Sequence, residues 1–386
     1  MMHSNTPVRR TKVLTIVGTR PEIIRLSAVI NLLEETCDHV LVHTGQNHDP
    51  QLSDVFFDDL DLRRPDHFLH VDTSSLGSVL GSILQRIEPV LNDERPDAVL
   101  ILGDTNSAVA ALIAKRMRVP VFHMEAGNRS FDENVPEETN RRMVDHVADY
   151  NLVYTEHARR NLLAEGIHPS RILLTGSPLR EVLAVHEPAI RRSDVLSRLG
   201  LASEQYVLVS AHREENVDEP ERLLALLDAV QAVGDAYDLP VLVSTHPRTR
   251  RSLTGLDESA WPRLRFHEPF GFHDYNQLQR SAFIVLSDSG TISEESVMLG
   301  FPAVTLRDRI ERPEAVDTAS VVTAGVQTGP VLEAVAFARR LADTTGPSGG
   351  PADYAATDTA RRVVAFVLST AHSHHATLGL RRRPWR

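Results

Sequence analysis

The chain has 386 residues, a net charge of −11, 42% hydrophobic and 24% charged residues. That length suits two domains with their own cores, and the acidity argues against nucleic-acid or anionic-membrane binding as the main task. No apolar run approaches the ~18 residues of a membrane span, and the single cysteine, Cys37, forbids an internal disulfide.

Short apolar strands alternate with amphipathic stretches. The first half reads as strands at KVLTIV (from Lys12), HVLVH (from His39), AVLIL (from Ala98), VPVFHM (from Val119), NLVY (from Asn151) and RILLT (from Arg171). VLTIVG is too short for a signal-peptide core, so a cytoplasmic protein is expected. The second half has YVLVS (from Tyr206), PVLVS (from Pro240), RLRF (from Arg263), FIVLS (from Phe283) and PAVTL (from Pro302). β-Branched runs spaced by helical segments predict parallel sheets built from βαβ units, hence an α/β protein of two doubly wound, Rossmann-like domains. The break falls near Pro178 to Asp194, which gives domains over 1–180 and 181–370. A helix over Thr357 to Ser369 precedes a tail, 371–386, that reads as a poorly ordered arm and includes the HSHH run from His372.

Strand ends carry the chemistry. AVLILGD stops at Asp104, VPVFHME at Glu125, YVLVSAH at His212, PVLVSTH at His246, and FIVLSDSG at Asp288 and Ser289. Ligands of open parallel sheets bind beyond the carboxyl ends of the strands. If the two domains face a cleft, all five ends point into it. Lysine occurs only at Lys12 and Lys115, and there is no GKS or GKT phosphate loop, so arginine must hold any phosphate.

GTRPEIIR, from Gly18, lacks the glycine spacing of a dinucleotide fingerprint. Arg20 stands at a helix start, where free N–H groups favour an anion. SDSGTISEES, from Ser287, puts Ser289, Gly290 and Thr291 in a small-residue turn whose amides and hydroxyls suit a diphosphate, with Glu295 a turn further on for a ribose. AHREENVD adds His212 and Arg213, and RDRIERPEAVD adds Arg307 and Arg312. The second half therefore reads as a nucleoside-diphosphate site. The first half supplies acids, Asp104, Glu125 and Glu137, with Arg141 one turn after Glu137. Acids near a water-poor cleft can exchange protons. No HxH, HExxH or CxxC spacing marks the body of the chain, so no metal is expected.

At these residues the sequence resembles the non-hydrolysing UDP-N-acetylglucosamine 2-epimerases. GTRPEIIR, GDTNS, HMEAG, PEETNRR, HREENVD, STHPR, SDSGTISEE and ERPEAV occur in that family's order from about Lys12 to Thr370. The resemblance implies a fold of the GT-B type, a homodimer, and UDP held in the cleft. It implies inversion of carbon 2 of a UDP-linked N-acetylhexosamine, with UDP eliminated to leave a glycal and then added back. Neither a cofactor nor a metal is needed for that chemistry. Residue by residue, Asp104, Glu125 and Glu137 match the catalytic acids and His212 the active-site histidine. Arg20, Arg141 and Ser289 match phosphate and active-site contacts, and Glu295 matches the ribose carboxylate. His246 and Arg312 are further site members.

Departures from the family pattern narrow the expectation. Arg25 stands where most members have lysine, and Gly290-Thr291 where they have two glycines. Gln46 matches a glutamine of an allosteric UDP-sugar site, while Asp49 replaces the second. TGQNHD, EAGNRSFD, GSPLREV and SDSGTISEE resemble more closely a subfamily that forms UDP-N-acetyl-L-fucosamine from a UDP-2-acetamido-2,6-dideoxy-L-hexose. UDP-GlcNAc and UDP-ManNAc form the other candidate pair. A GT-B glycosyltransferase, a UDP-sugar sensor and a hydrolysing epimerase are the rival readings.

Overall fold

Strands that are apolar on both faces dictate sheets covered on both sides, and the computed structural model, which describes residues 9–46, 56–309, 311–345 and 349–381, forms two of them. The first contains β1 (Lys12–Val17), β2 (Asp38–His43), β3 (His67–Phe68), β4 (Ala98–Leu102), β5 (Val121–Met124), β6 (Tyr150–Val153) and β7 (Ile172–Leu174). The second contains β8 (Val207–Ser210), β9 (Val241–Ser244), β10 (Leu264–His267), β11 (Ile284–Ser287), β12 (Ala303–Thr305) and β13 (Val322–Thr323). Their orders are β3-β2-β1-β4-β5-β6-β7 and β10-β9-β8-β11-β12-β13, with every pairing parallel. Both contain the doubly wound arrangement, in which the order reverses beside the first strand. The α/β, twin Rossmann-like class expected from the sequence is what forms. The strands not anticipated, β3 and β13, are two-residue pairings too short to leave a periodic signal.

The chain divides into two compact units, Met1–Val182 with Ala356–Arg386, and Leu183–Ala355. In the second unit, alternate residues of each strand feed opposite cores. Val207 and Val209 pack with Leu226, Val230 and Val335, whereas Leu208 packs with Tyr206, Leu278 and Ile292. In the first unit, Leu14, Ile16, Val99 and Ile101 bury against Ile83, Ile87 and Leu91 of the helix Leu76–Glu94.

The C-terminal segment departs from expectation. Instead of ending a second domain at 370 and trailing off, it returns to the first unit. The helix Thr359–Thr370 buries Ala360, Val363, Val364 and Val367. Phe366 sets its ring edge against Phe122 and Tyr150 at 6.0 and 5.3 Å. The HSHH run continues the contact. His372 Nε2 lies 2.9 Å from Thr11 Oγ1, His374 is buried with Nδ1 3.2 Å from the Tyr150 hydroxyl, and His375 Nε2 donates to the Arg118 carbonyl at 2.8 Å. These anchors are polar and aromatic rather than periodic, so the apolar pattern did not announce them. Of the tail, 382–386 lie outside the described residues.

Candidate active site

In the first unit the order reverses between β1 and β4, and both strands end in tight turns. Gly18 follows β1, and a Cβ there would fall on the hydroxyls of Ser107 and Thr44, so the backbone can pass only as glycine. Thr19 then starts the helix Arg20–Thr36, with Pro21 in its first turn. Glu22, on that turn, is 2% exposed. Its Oε2 accepts N–H bonds from Gly18 (2.5 Å) and Thr19 (3.0 Å), and its Oε1 accepts from the Thr105 hydroxyl. Burial pushes this carboxyl up to about 7; the Thr105, Gly18 and Thr19 hydrogen bonds oppose the rise and the nearby charge of Asp104 adds to it. Arg20 lies 5.6 Å from the centre of the Phe56 ring.

Two carboxylate–guanidinium pairs stand at this edge. Arg141 donates Nε and Nη2 to Asp104 Oδ2 at 2.9 and 2.6 Å, and Nη1 to buried Glu138 at 3.2 Å. Arg141 comes from the helix Pro136–Val147, whose first turn carries Glu137 and Glu138. Glu137 is half-buried. Asn140 ties the same helix to the β4 turn by donating to the Asp104 carbonyl at 3.0 Å. The second pair is buried Arg25 with Glu125, at 2.7 Å, beneath which Arg25 lies over the Tyr154 ring. Glu125 ends β5 in the left-handed region, φ +64°. That conformation costs a residue with a Cβ about 1–2 kcal/mol, and a buried network behind it holds the turn. His123 Nε2 donates to the Gly103 carbonyl at 2.8 Å, while its Nδ1 lies 2.9 Å from Asp145. Asp145 accepts from the Gly127 amide (3.1 Å) and from Arg129 (2.7 Å).

The second unit repeats the geometry with different groups. Its order reverses between β8 and β11. Asp288, fully buried after β11, accepts the backbone N–H groups of His212 (3.0 Å) and Arg213 (2.9 Å) and the side chain of Asn216 (3.1 Å). It thereby joins the ends of both central strands. The His212 ring lies 5.4 Å from that of His246. His246 Nδ1 accepts the Arg248 N–H, which leaves Nε2 to carry the proton of the neutral ring. Ser289 and Thr291 hydroxyls are 2.9 Å apart, and Gly290 between them is so close to Glu311 and Arg213 that a Cβ would stand 3.1 Å from the Glu311 carboxylate. Glu311 bridges Arg213 (3.3 Å) and Arg307 (3.1 Å). Glu295 accepts from Gln279 at 2.5 Å. Arg312 is buried and pairs with fully buried Glu294 at 3.2 Å, a bracing position in the fold.

Each unit thus collects its own share of the residues singled out from the sequence: Arg20, Asp104, Glu125, Glu137 and Arg141 in the first, His212, Arg213, His246, Ser289, Gly290, Thr291, Glu295 and Arg312 in the second. Sequence reasoning placed Asp288 at a strand end without giving it a role, and passed over Glu22, Glu138, His123 and Asp145 as site-builders. Of these four, Glu22 left a trace, the T-x-x-E spacing of a helix start. Asp49 lies outside the described residues. Among the described residues no group of three or more His, Cys, Asp or Glu side chains could hold a metal ion, and no helix is long and apolar enough to cross a membrane.

Known proteins resemble this chain over most of its length. The family model described as UDP-N-acetylglucosamine 2-epimerase matches residues 31–368. The chain belongs to this family. It is 35% identical over 333 residues to the UDP-N-acetylglucosamine 2-epimerase of Methanocaldococcus jannaschii, covering 84% of this chain and 91% of that one. A crystal structure of the UDP-GlcNAc 2-epimerase from that organism, in complex with UDP-GlcNAc and UDP, superposes with a TM-score of 0.87 at 32% identity, over 93% of this chain and 100% of that one. The structure of a UDP-N-acetylglucosamine 2-epimerase from Rickettsia bellii gives 0.89 at 41% identity, over 96% and 99%. Another relative, 34% identical over 330 residues, 83% of this chain and 90% of its own, is the UDP-2,3-diacetamido-2,3-dideoxy-D-glucuronate 2-epimerase of Pseudomonas aeruginosa. The epimerase family therefore contains relatives named for different sugars, each carrying a 2-acetamido group.

Proposed function

We propose that the protein is a UDP-N-acetylhexosamine 2-epimerase that works by eliminating UDP and adding it back. The observation that carries this reading is the pair of arginine-held carboxylates, Arg141–Asp104 and Arg25–Glu125, at the carboxyl-end edge of the first sheet. A carbon-2 proton has little acidity, so its removal must accompany departure of the diphosphate. One acid among Asp104, Glu125 and Glu137 takes that proton, the C1–O bond breaks, and UDP leaves with the electron pair. Return of UDP to carbon 1 of the glycal is matched by protonation of carbon 2 on the opposite face. The groups of the second unit hold the leaving nucleotide: Ser289, Gly290 and Thr291 with Arg213 and His212 at the diphosphate, and Glu295 at the ribose. Arg20 in the first unit and His246 in the second are further candidate phosphate contacts. Arg312, buried beside Glu294, is a further contact for the substrate.

The sugar is a 2-acetamido hexose, either the UDP-GlcNAc and UDP-ManNAc pair or UDP-2-acetamido-2,6-dideoxy-L-talose going to UDP-N-acetyl-L-fucosamine, and the enzyme acts as a homodimer in the cytoplasm. Both candidate pairs are to be incubated with the protein in deuterated water. The expected result is deuterium at carbon 2 and the epimer of one pair, without an acceptor. Absence of exchange with both pairs would overturn the reading. Transfer to an acceptor with carbon 2 unlabelled would make it a glycosyltransferase, and free N-acetylmannosamine with UDP a hydrolysing enzyme. Light scattering of the eluted protein checks the dimer.

A further inference from the structure

The first unit contains a buried acid that the proposed chemistry does not use. We infer that Glu22 is a positioning residue, which locks the turn after β1 to the turn after β4 and so fixes the relative placement of Arg20 and Asp104. The inference deepens the epimerase reading and rests on it for the reaction, but not for the geometry.

Three bonds make the case. Two come from the β1 turn, the amides of Gly18 and Thr19 at 2.5 and 3.0 Å, and both end on Oε2. The third comes from the β4 turn, the hydroxyl of Thr105, and ends on Oε1. Arg20 directly follows Thr19, and Asp104 directly precedes Thr105. The carboxyl group therefore spans the point where the strand order reverses, one oxygen serving each side. Helix capping alone would need only the Thr19 amide. It would not need a carboxyl turned into the protein, 2% exposed and bonded to a residue 83 positions away.

The second unit supplies an independent parallel. Asp288 also stands at a switch point, is fully buried and collects two consecutive backbone amides, those of His212 and Arg213. There the acid comes from the β11 side and reaches back to the β8 turn. In the first unit the acid comes from the β1 side and reaches across to the β4 turn. The chain has used a buried carboxyl from opposite sides to tie the same pair of strand ends. In each case the tie lies next to residues assigned to the reaction.

The test uses the full-length enzyme with three single variants and one double. Glu22→Ala removes all three bonds. Glu22→Gln keeps an acceptor for the amides and lets the Thr105 hydroxyl turn to accept from the new amide group. Thr105→Val cuts the link from the β4 turn to Glu22, together with the bond that the Thr105 hydroxyl accepts from the Ser107 amide, and leaves the two β1-turn amides on Glu22. Displacements of an ångström can cost ~100-fold. The expectation is a fall in kcat of about 100-fold for Glu22→Ala and about 10-fold for Thr105→Val, with KM for the UDP-sugar within about threefold. Glu22→Gln should recover most of the loss, and the Glu22→Ala, Thr105→Val double variant should fall well short of the product of the two single losses, because both changes break one shared connection. A kcat for Glu22→Ala equal to wild type, a loss confined to KM, additive single losses, or a Gln variant as poor as Ala would each overturn the inference. Hydrogen exchange gives a readout without catalysis. In Glu22→Ala, amides over 18–22 and over 103–107 should both exchange faster, and Glu22→Gln should protect them. Faster exchange over 18–22 alone leaves only a helix cap and overturns the link. If wild type shows no turnover of any UDP-sugar, the epimerase reading falls, while hydrogen exchange still decides the placement of Glu22.

Discussion

The two units share a strand order and differ in what stands at its reversal. In the first, the edge presents carboxylates already satisfied by arginines: Asp104 by Arg141 and Glu125 by Arg25. In the second, the edge presents amides, hydroxyls and imidazoles: His212, His246, Ser289, Gly290 and Thr291. A carboxylate gripped by a guanidinium has a fixed direction, which suits proton transfer at one atom. Amide and hydroxyl dipoles around a glycine suit a group that carries several negative oxygens and must come and go. The same scaffold thus supports two chemistries because the strand ends, and not the strands, carry the distinction.

Removing an acid should break the comparison most sharply. Glu125→Gln is expected to lower carbon-2 exchange by about 10³-fold, within the range for loss of a general acid–base group, while affinity for UDP, measured by calorimetry, stays as in wild type. A parallel loss of UDP affinity would mean that the division of labour between the units is wrong. Next comes Arg141→Ala, which takes the cation from part-exposed Asp104 and one of two from fully buried Glu138, still paired with Arg142 at 3.0 Å. Because Arg142 stays on Glu138 and Asp104 reaches solvent, the cost falls below the roughly 3–5 kcal/mol of a fully buried pair that loses one partner, and the denaturant midpoint should fall together with activity.

Glu22 gives a pH test. Its value in the folded chain, about 7, lies above the ordinary 4.5. The folded state therefore holds the proton more tightly than the unfolded chain does. The associated stability is fully present below about 4.5 and is lost as pH rises through about 7, by up to about 3 kcal/mol. Urea unfolding at pH 5 and pH 8 should show this fall in wild type, and Glu22→Gln should flatten it. The smallest effect is expected in the second unit. Glu295→Gln removes a charged acceptor and should weaken UDP binding by about tenfold, roughly 1.4 kcal/mol, with little change in stability.

How much of this was legible depends on the kind of signal. Apolar runs such as AVLIL and YVLVS gave the strands to within a residue or two, because a strand buried on both faces has no other composition open to it. The polar residue ending each run located the candidate edge. What escaped was long-range pairing. Arg141 was read with Glu137 from their spacing; its bonds to Asp104, far along the chain, and to Glu138, the neighbouring acid, left no such trace. Arg25 was read only as a departure from a family pattern, although it holds Glu125 from 100 positions away. Glu22 was passed over, because nothing in T-x-x-E says whether the glutamate faces solvent or the interior. Asp145 sits in a helix whose pattern, PEETNRRMVDHV, reads as mostly polar. Its burial depends on His123 and Arg129, which only the fold brings to it.

The return of Ala356–Arg386 to the first unit makes the second an insertion in genetic terms. A clone of 183–355 encodes the whole six-stranded sheet and both of its cores. A clone stopping at 182 leaves Phe122 and Tyr150 without the helix that shields them, so dissecting the protein calls for splicing 1–182 to 356–386 rather than cutting once.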